Sequence, residues 1–388
     1  MQSKQKPPIT VQVCNSIDEI PQTQWDNLVR HQYPFLNHGF LSTTERFQCV
    51  GPEVGWIPRH LACIQDDRLV AAMPLYEKHN SWGEFVFDHA WADAFHRYGI
   101  QYYPKLINAI PFTPASGQRI LIDQSFAASL PEVMLTAAQT LMEKGEFSGL
   151  HCLFPSQLDR KLLSQKNFIT RSDCQFHWHN RNYSSFENFL ANLKRKKRKN
   201  IQQERRKVKE SGVEILWLNG QTASEFHWSE FTRLYRRIYD RKYGMPAFNL
   251  EFFVEVAKTI PDQIHLVLAK AGNVHVAGAL MYSDERTLYG RHWGCDQMID
   301  CLHFEVCYYR GIEYCIEHGL KRFDPGAQGE HKIPRGFEPT QTYSLHWLSE
   351  NPFHQAIERF AESEQNRVKH YIEKVKLHSP FISSHENH

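Results

Sequence analysis

The alternation of apolar and polar residues in the second half of the chain predicts three short strands in succession. Ile264–Lys270 is apolar and rich in β-branched residues, and Val274–Ser283 and Thr287–Trp293 follow it across short polar turns. Short apolar runs joined by turns of this kind are typical of β-hairpins. A further short strand is expected at Lys321–Phe323 and another at Tyr343–Trp347.

Helical patterns flank these strands, and the same order of elements is predicted in the first half. Helices are expected around 224–242, 249–259 and 352–375, and from Leu302 to His318, where Gly319 would end the helix. The first half offers, in order, a strand near Ile9–Cys14, helices near 24–30 and 40–48, strands at Arg59–Gln65, Leu69–Tyr76 and Lys105–Ala109, a helix over Ser125–Glu143 and a strand at Leu150–Phe154. Both halves therefore predict an α/β (α+β) fold, in which a mixed β-sheet is flanked by helices and the arrangement is duplicated.

Length and composition agree with a globular protein of two domains. The chain has 388 residues, of which 41% are hydrophobic and 23% charged, and its net charge is only +2. We expect an N-terminal domain over residues 9–180, a basic helical connector over 181–212, a C-terminal domain over 213–376 and a disordered tail over 377–388.

The sequence gives no sign of export or of a membrane segment. No apolar run approaches the ~20 residues of a membrane helix, and the first eight residues lack the apolar core of a signal peptide. The nine scattered cysteines are therefore expected to be reduced thiols in a cytoplasmic protein. The near-neutral net charge excludes a general attraction to nucleic acid or membrane, so any such attraction must be local.

The segment Phe323–Phe337 is the main candidate for a functional loop. It holds three glycines and two prolines, which favour a shaped turn and a close approach of the backbone to a ligand. The candidate polar side chains in it are Gln328, Glu330, His331, Lys332 and Arg335. A solvated turn is the alternative interpretation.

Leu193–Val208 predicts a helix with a broad basic face. Ten basic residues and one acidic residue lie between Lys194 and Lys209. The candidate anion-binding residues are Lys194, Lys196, Lys197 and Arg198, which would face the phosphates of RNA, a nucleotide or a lipid. No aromatic residues are interleaved, so sequence-specific RNA recognition is not expected. The alternative is a solvated linker helix.

Residues 292–307 contain three cysteines and two histidines, which raises the question of a metal site. They are His292, Cys295, Cys301, His303 and Cys307. No paired Cys-x-x-Cys or His-x-x-x-His unit occurs among them, so we expect no metal site.

Several segments resemble the FemAB-like proteins of the GNAT superfamily, in particular the group labelled as peptidoglycan biosynthesis or recognition proteins. The similar segments are Asp93–Gly99, Tyr102–Leu106, Pro111–Pro114, Arg198–Ile201, His303–Tyr309 and the loop Phe323–Phe337. The resemblance covers residues 10 to 375. It implies two tandem GNAT-like domains and an acyl or aminoacyl transferase, with a cell-wall precursor as one candidate acceptor.

The chain departs from acyl-CoA-using GNAT enzymes at the loop that binds the pyrophosphate. Those enzymes carry Gln/Arg-x-x-Gly-x-Gly/Ala, whereas Arg291–Met298 has a single glycine and Thr113–Arg119 does not match either. The sequence therefore assigns no resident cofactor. It leaves acyl-CoA and aminoacyl-tRNA as alternative donor substrates, and the basic helix would suit tRNA.

Transfer to an amine needs a base, stabilisation of an oxyanion and alignment of the two substrates. The base candidates are Glu305, which is expected on a partly apolar helix face, and His331, which titrates near neutral pH. Glu305 could instead be a structural acid. The candidate substrate-binding residues are Gln328, Glu330, Lys332, Arg335, Arg291, His292, Tyr308, Tyr103, Thr113 and Arg119.

Two function classes remain open from the sequence. Because no nucleophilic triad is recognisable, the first is a transferase that acts by direct transfer with general-base assistance. The alternative is a non-catalytic binding module that recognises an anionic ligand such as a cell-wall precursor or RNA.

Overall fold

The computed structural model describes residues 8–241, 244–327, 329–349 and 352–382. Within these ranges the backbone forms fifteen strands. In chain order they are β1 (Thr10–Cys14), β2 (Trp56–Pro58), β3 (His60–Gln65), β4 (Arg68–Met73), β5 (Tyr76–Lys78), β6 (Lys105–Asn108), β7 (Leu121–Ile122), β8 (Gly149–Leu153), β9 (Ile169–His179), β10 (Glu214–Asn219), β11 (Ile264–Ala271), β12 (Val274–Ser283), β13 (Thr287–Cys295), β14 (Arg322–Asp324) and β15 (Glu338–Leu348).

The helices of the same ranges include one π-helical turn. In chain order the α-helices are α1 (Gln22–Asp26), α2 (His38–Arg46), α3 (His89–Arg97), α4 (Leu130–Lys144), α5 (Gln157–Ser164), α6 (Phe186–Ala191), α7 (Arg195–Glu210), α8 (Glu225–Asp240), α9 (Leu250–Thr259), α10 (Leu302–Phe304), α11 (Arg310–Glu317) and α12 (His354–Lys376). The π-helical turn Glu305–Tyr309 joins α10 to α11, and a 3₁₀ segment, Glu330–Arg335, lies between β14 and β15. In the described ranges, every helix is too short or too polar to cross a membrane.

The chain divides into two compact units, each made of two separate stretches of the sequence. The first unit comprises residues 1–173 and 342–366, and the second comprises 174–341 and 367–388. The segment 181–212, expected as a connector, lies inside the second unit. The chain returns to the first unit at residue 342 because Ser344–Leu348 pairs antiparallel with Leu153–Gly149 of β8. The order of elements along the sequence does not indicate that a strand after residue 337 pairs with a strand that precedes residue 154.

In the first unit, β1, β3, β4 and β7 form one sheet in that spatial order, and β15, β8, β6, β5 and β2 follow one another in a second strand array. Helix α4 covers apolar residues of these strands. Its buried side chains, Leu130, Met134, Leu135, Ala138 and Met142, recur every three or four residues and so form one face of the helix.

In the second unit the strand order is β10, β11, β12, β13, β14 and β9. The first four strands are antiparallel neighbours, whereas β13 and β14 are parallel. The core contains Val267, Leu288, Val306 and Ile312, so the helix that follows β13 packs on the sheet. This arrangement places the loop after β14 beside β13.

Part of the segment expected to be a disordered tail is ordered. Phe381 is buried in the core of the second unit and forms a bridge with Leu193, while Lys194 N–H donates to the Pro380 carbonyl (2.8 Å). The apolar ring of Phe381 therefore fixes residues 377–382. Residues 383–388 lie outside the described residues.

Candidate functional site

The loop after β14 lies against an irregular part of β13. The pairing of β12 with β13 shifts so that Leu280 is opposite His292 and Met281 is opposite Gly290, which leaves Arg291 as a bulge. Bulges of this kind redirect a side chain and are frequent near functional sites. A Cβ on Gly290 would lie 3.3 Å from Pro325 Cα, so the glycine permits the close approach of the loop.

Arg291 forms a buried ion pair with Asp324 at the end of β14. Arg291 Nη2 lies 2.8 Å from Asp324 Oδ2, and Nη1 lies 3.3 Å from Oδ1. The Gly326 N–H also donates to Asp324 Oδ1 (3.0 Å). Burial would raise the pKa of the Asp324 carboxyl, but the charge and hydrogen bonds of Arg291 hold this pKa well below its ordinary value. Asp324 is therefore an anion that fixes the start of the loop.

Lys332 is a buried ammonium beside this ion pair. Its side chain donates from Nζ to the Gly326 carbonyl (2.6 Å), and the residue is only 1% exposed. Burial lowers the pKa of Lys332 to about 8, although the Asp324 carboxylate acts in the opposite direction. Gly326 O is the only acceptor that Nζ has among the described residues, so two of its three N–H groups remain available there. Gln328 lies outside the described residues.

His331 is exposed and contacts Tyr308 of the π-helical turn. His331 Nε2 and Tyr308 Oη lie 2.8 Å apart. Partial burial and the charges of Lys332 and Arg335 lower the pKa of His331, so the imidazole is neutral at pH 7. Gly329 has φ = +111°, and a Cβ there would lie 2.1 Å from His331 Cε1. Only glycine leaves room for the ring in this position.

Arg335 is already paired with α7. Its Nη2 lies 2.7 Å from Glu204 Oε1 and its Nε lies 3.2 Å from Oε2, while Nη1 donates to the His331 carbonyl (2.5 Å). The guanidinium therefore secures the 3₁₀ segment, and with it His331, to α7. Glu330, in contrast, is exposed and accepts from Tyr371 Oη (2.5 Å).

Glu305 lies in a network of ion pairs. Arg205 donates to both of its carboxylate oxygens at 3.1 Å, and Arg310 Nε lies 3.1 Å from Oε1. Burial raises the pKa of Glu305, while the charges of Arg205 and Arg310 act against this shift. These contacts support the alternative that Glu305 is a structural acid, here one that joins α7 to the π-helical turn.

His292 and Arg291, both candidate substrate-binding residues, have separate neighbours. His292 packs in edge-to-face contact with Tyr235 and Phe248, at centroid distances of 5.1 and 5.3 Å. Burial lowers the pKa of His292 to about 3. Its ring belongs to an aromatic cluster of α8 and α9, whereas Arg291 belongs to the ion pair with Asp324.

The candidates of the first unit, Tyr103, Thr113 and Arg119, make local contacts. Tyr103 Oη lies 2.7 Å from Ser81 Oγ. Thr113 Oγ1 donates to the Pro111 carbonyl, and within the described residues the guanidinium of the fully buried Arg119 donates only to backbone carbonyls. Thr113 and Arg119 therefore hold the local backbone in place.

The cations of α7 differ between its two ends. Lys194 and Lys196 are exposed, Lys197 and Arg198 are half-buried, and these four have no ion pair or side-chain hydrogen bond to any described residue. Further along the helix, Arg205 is paired with Glu305 and Glu313. The N-terminal end of α7 therefore presents unpaired positive charge.

Several partners in this site were not identified from the sequence. Asp324, Glu204, Arg205 and Arg310 fix the candidate residues. Glu204 and Arg205 lie 131 and 100 positions from their partners Arg335 and Glu305. The one signal available in the sequence was the position of Asp324, a carboxylate that directly follows the apolar residue Phe323. Among the described residues, His, Cys, Asp and Glu form no group that could hold a metal ion.

Comparison with known proteins identifies related sequences and folds. The sequence model of the FemAB-like family, described as peptidoglycan biosynthesis/recognition, matches residues 16–383. No curated protein matches the chain. The structure of FemX is 12% identical, covers 87% of this chain and 98% of FemX, and has a TM-score of 0.54.

Two further structures have a similar fold at low identity. One is the C-terminal domain of a putative lysylphosphatidylglycerol synthetase from Agrobacterium fabrum, with 8% identity, coverage of 90% and 97%, and a TM-score of 0.53. The other is L-PGS from Bacillus licheniformis, with 10% identity, coverage of 85% and 95%, and a TM-score of 0.51. At such identities the likeness shows the fold alone. It confirms the predicted α/β fold class, in which mixed β-sheets are flanked by helices.

Proposed function

Since this chain belongs to the FemAB-like family of peptidoglycan biosynthesis/recognition proteins, we propose that it transfers an acyl or aminoacyl group from an activated ester or thioester to an amine acceptor. The observation that carries the proposal is the presence of a neutral exposed imidazole and a buried ammonium on consecutive residues, His331 and Lys332. The first can accept a proton, and the second can stabilise negative charge.

The proposed proton path starts from the tautomer of His331. If Nε2–H donates to Tyr308 Oη, the lone pair of Nδ1 is available as a base. The amine nitrogen attacks the carbonyl carbon, and Nδ1 takes the proton that the nitrogen loses. The C–O or C–S bond of the donor then breaks, and the imidazolium returns the proton to the leaving oxygen or sulfur.

Lys332 is proposed to bind the negative charge that develops during this step. Its two available N–H groups can donate to a tetrahedral oxyanion or to a phosphate of the donor. The ion pair of Arg291 with Asp324 holds the loop that carries it. Glu305 is proposed to be a structural acid that pairs with Arg205. His331 is therefore the proposed base.

The donor is proposed to be rich in phosphate, because the unpaired cations lie at the N-terminal end of α7. Aminoacyl-tRNA and acyl-CoA both meet this description. A cell-wall precursor with an amine is the acceptor that the description of the family favours.

The proposal is tested by mass analysis of a cell-wall precursor incubated with the protein and either charged tRNA or acetyl-CoA. We expect the acceptor to gain the mass of the acyl group with one donor. His331→Ala should reduce the rate by about 10²–10⁴-fold, the usual contribution of a general base. Glu317→Gln is the control, because Glu317 is an exposed residue of α11 outside the loop and outside the candidate residues. Wild-type rates in both His331→Ala and Lys332→Ala would refute the site.

A binding module without catalysis is the second candidate. The unpaired cations of α7 favour it, since they could hold an anionic ligand without any transfer. Reversing the charges of Lys194, Lys196, Lys197 and Arg198 should lower RNA affinity and reduce its dependence on salt. The control reverses four exposed lysines elsewhere, Lys144, Lys161, Lys369 and Lys374. Loss of binding specific to α7, with no transfer from any donor, would favour this candidate.

A further inference from the structure

A cavity of about 440 Å³ opens in the first unit beside the start of β4 and the end of β7. It also borders α1 and the turn that follows this helix, and its polar lining includes the side chains of Gln24, Asn27, Arg30, Arg68 and Gln124. Pockets that hold small ligands commonly have volumes of ~300–1,000 Å³. None of the candidate residues of the transfer site lines this cavity.

Arg30 brings a positive charge to the cavity and has no carboxylate partner among the described residues. The residue is half-buried, and its guanidinium is held by an amide: Gln124 Oε1 accepts from Nη2 (2.6 Å) and from Nε (3.3 Å). Nη1 has no hydrogen-bond partner in the same part of the chain. The buried carboxylate of Asp159, which feels the charge of Arg30, instead accepts from Ser156 Oγ (2.7 Å) and from the Arg119 N–H (2.9 Å).

Two side-chain amides add hydrogen-bond donors to the same cavity. Gln24 Oε1 accepts from the Leu69 N–H (2.6 Å), which fixes this amide and leaves its NH₂ group without an acceptor among the described residues. The exposed side chain of Asn27 makes no hydrogen bond to any of these residues. The unpaired groups that line the cavity are therefore chiefly N–H donors, which suit a ligand that accepts hydrogen bonds.

The net charge of the lining is positive. Arg68 and Asp123 form an ion pair with each other, so the charge that remains is that of Arg30. A partly buried charge without a counter-ion is unfavourable, and an anion would remove this cost. The alternative is that Arg30 is simply solvated and held by Gln124. That contact explains how the guanidinium is oriented, but it does not explain why unpaired amides line the same cavity.

The rest of the lining is apolar. Leu28, Val29, Leu69 and Ile122 contribute to it, and all of these except Val29 are buried. A ligand that fills the cavity therefore needs an apolar body as well as an anionic group. A single unpaired guanidinium matches the single charge and the planar shape of a carboxylate. Inorganic phosphate lacks the apolar body and carries more charge than this site compensates.

We propose that this cavity is a binding site for a small carboxylic acid in its ionised form. Arg30 Nη1 donates to one carboxylate oxygen, the amides of Gln24 and Asn27 donate to the other, and the apolar body lies against Leu69 and its neighbours. The site is separate from the transfer proposed at His331 and does not depend on it.

Saturation-transfer NMR of the full chain with sodium 3-methylbutanoate at pH 7 tests the proposal. The acid should bind saturably, whereas 3-methylbutanamide, which has the same shape but no charge, should bind about tenfold more weakly or less. Inorganic phosphate at equal concentration should not displace the acid. Binding should persist in His331→Ala, which separates this site from the proposed transfer. Equal binding of acid and amide, or displacement by phosphate, would contradict the assignment of a carboxylate.

Substitutions locate the binding in this cavity. Arg30→Met removes the charge, and Gln24→Glu keeps an acceptor for the Leu69 N–H but adds a like charge. Each change should weaken binding about tenfold or more. Arg97→Met, at an exposed arginine of α3, is the matched control and should bind as the wild type does. Thermal unfolding shows that each variant is folded. Absence of saturable binding in the wild type, or wild-type affinity in a folded Arg30→Met or Gln24→Glu variant, would overturn the proposal.

Discussion

At the scale of single residues, the two neighbours His331 and Lys332 differ in charge at pH 7. Partial burial and the charges of Lys332 and Arg335 lower the pKa of His331, which keeps its ring neutral. Lys332 is buried but close to Asp324, which preserves its charge at the same pH. A base and a cation can therefore coexist on adjacent residues over a narrow range of pH.

This range predicts a bell-shaped dependence of kcat/KM on pH. The rate should fall on the acid side, at a pH below the ordinary pKa of histidine, because burial lowers the pKa of His331 and the ring becomes protonated only there. It should fall again as the pH rises through about 8, because Lys332 loses its proton. Rates measured from pH 5 to 10 test both limbs.

Lys332→Arg should move the alkaline limb to higher pH, since a guanidinium stays charged. Lys199→Arg, at an exposed position, serves as the control. An alkaline limb that remains at about 8 in Lys332→Arg would show that another group causes it.

Gly329→Ala should reduce the transfer rate by displacing the His331 ring. The new Cβ would meet that ring at 2.1 Å, and the positive φ adds strain of about 1–3 kcal/mol. Gly319→Ala is a matched control, because Gly319 has φ = +67° but no neighbour within 4 Å of the added Cβ. Equal rate losses in these two variants, at equal stability, would contradict the positional role of Gly329.

At the scale of elements, the π-helical turn connects the candidate site with α7. It brings Tyr308 to His331, and it brings Glu305 to Arg205. Arg335 makes a second connection to α7 through Glu204. Helix α7 therefore both positions the loop and presents unpaired cations at its N-terminal end.

Arg205→Met should destabilise the protein by about 3 kcal/mol at pH 7, because Glu305 would lose a buried partner. This loss of stability is at the low end of the range for breaking a buried ion pair, since Arg310 still contacts Glu305. The loss should shrink as the pH falls and Glu305 becomes protonated, because its pKa is already raised. Urea unfolding from pH 4 to 8 measures this. The double variant with Glu305→Leu should recover stability; an equal loss in both variants would contradict the explanation.

Local sequence patterns predicted the elements better than the site. The three strands expected from Ile264 to Trp293 are confirmed as β11 to β13, because their alternation and turns are local. The helix expected from Leu302 to His318 is interrupted by the π-helical turn, which no local pattern indicated. The contacts of Arg335 and Glu305 with α7 join residues about 100 or more positions apart, which a single sequence does not reveal.

At the scale of the whole molecule, the first unit is made of two distant stretches of chain. Residues 342–366 supply β15, which pairs with β8, and the buried residues Ile357 and Ala361 of α12. Arg171 also forms a two-point ion pair with Glu364 (2.8 Å at each contact). The early stretch is therefore incomplete on its own.

A fragment of residues 1–173 should fail to unfold cooperatively, whereas the same fragment linked to residues 342–366 by a flexible linker should do so. The reason is that the later residues cover β8 and complete its hydrogen bonds. Circular dichroism during thermal unfolding and the dispersion of amide NMR signals measure the difference. A cooperative transition in the shorter fragment would contradict the role of β15.

The division of the first unit also has a consequence for biosynthesis. A ribosome makes residues 1–173 first, yet residues 174–366 must follow before that unit has all its strands. At about 5–20 residues per second, this delay is roughly 10 to 40 s. Most of the first unit is translated before the second unit, but the first unit becomes complete only when residues 342–366 have been made. During that interval the edge of β8 that pairs with β15 has no partner strand, and we expect it to be open to chaperones.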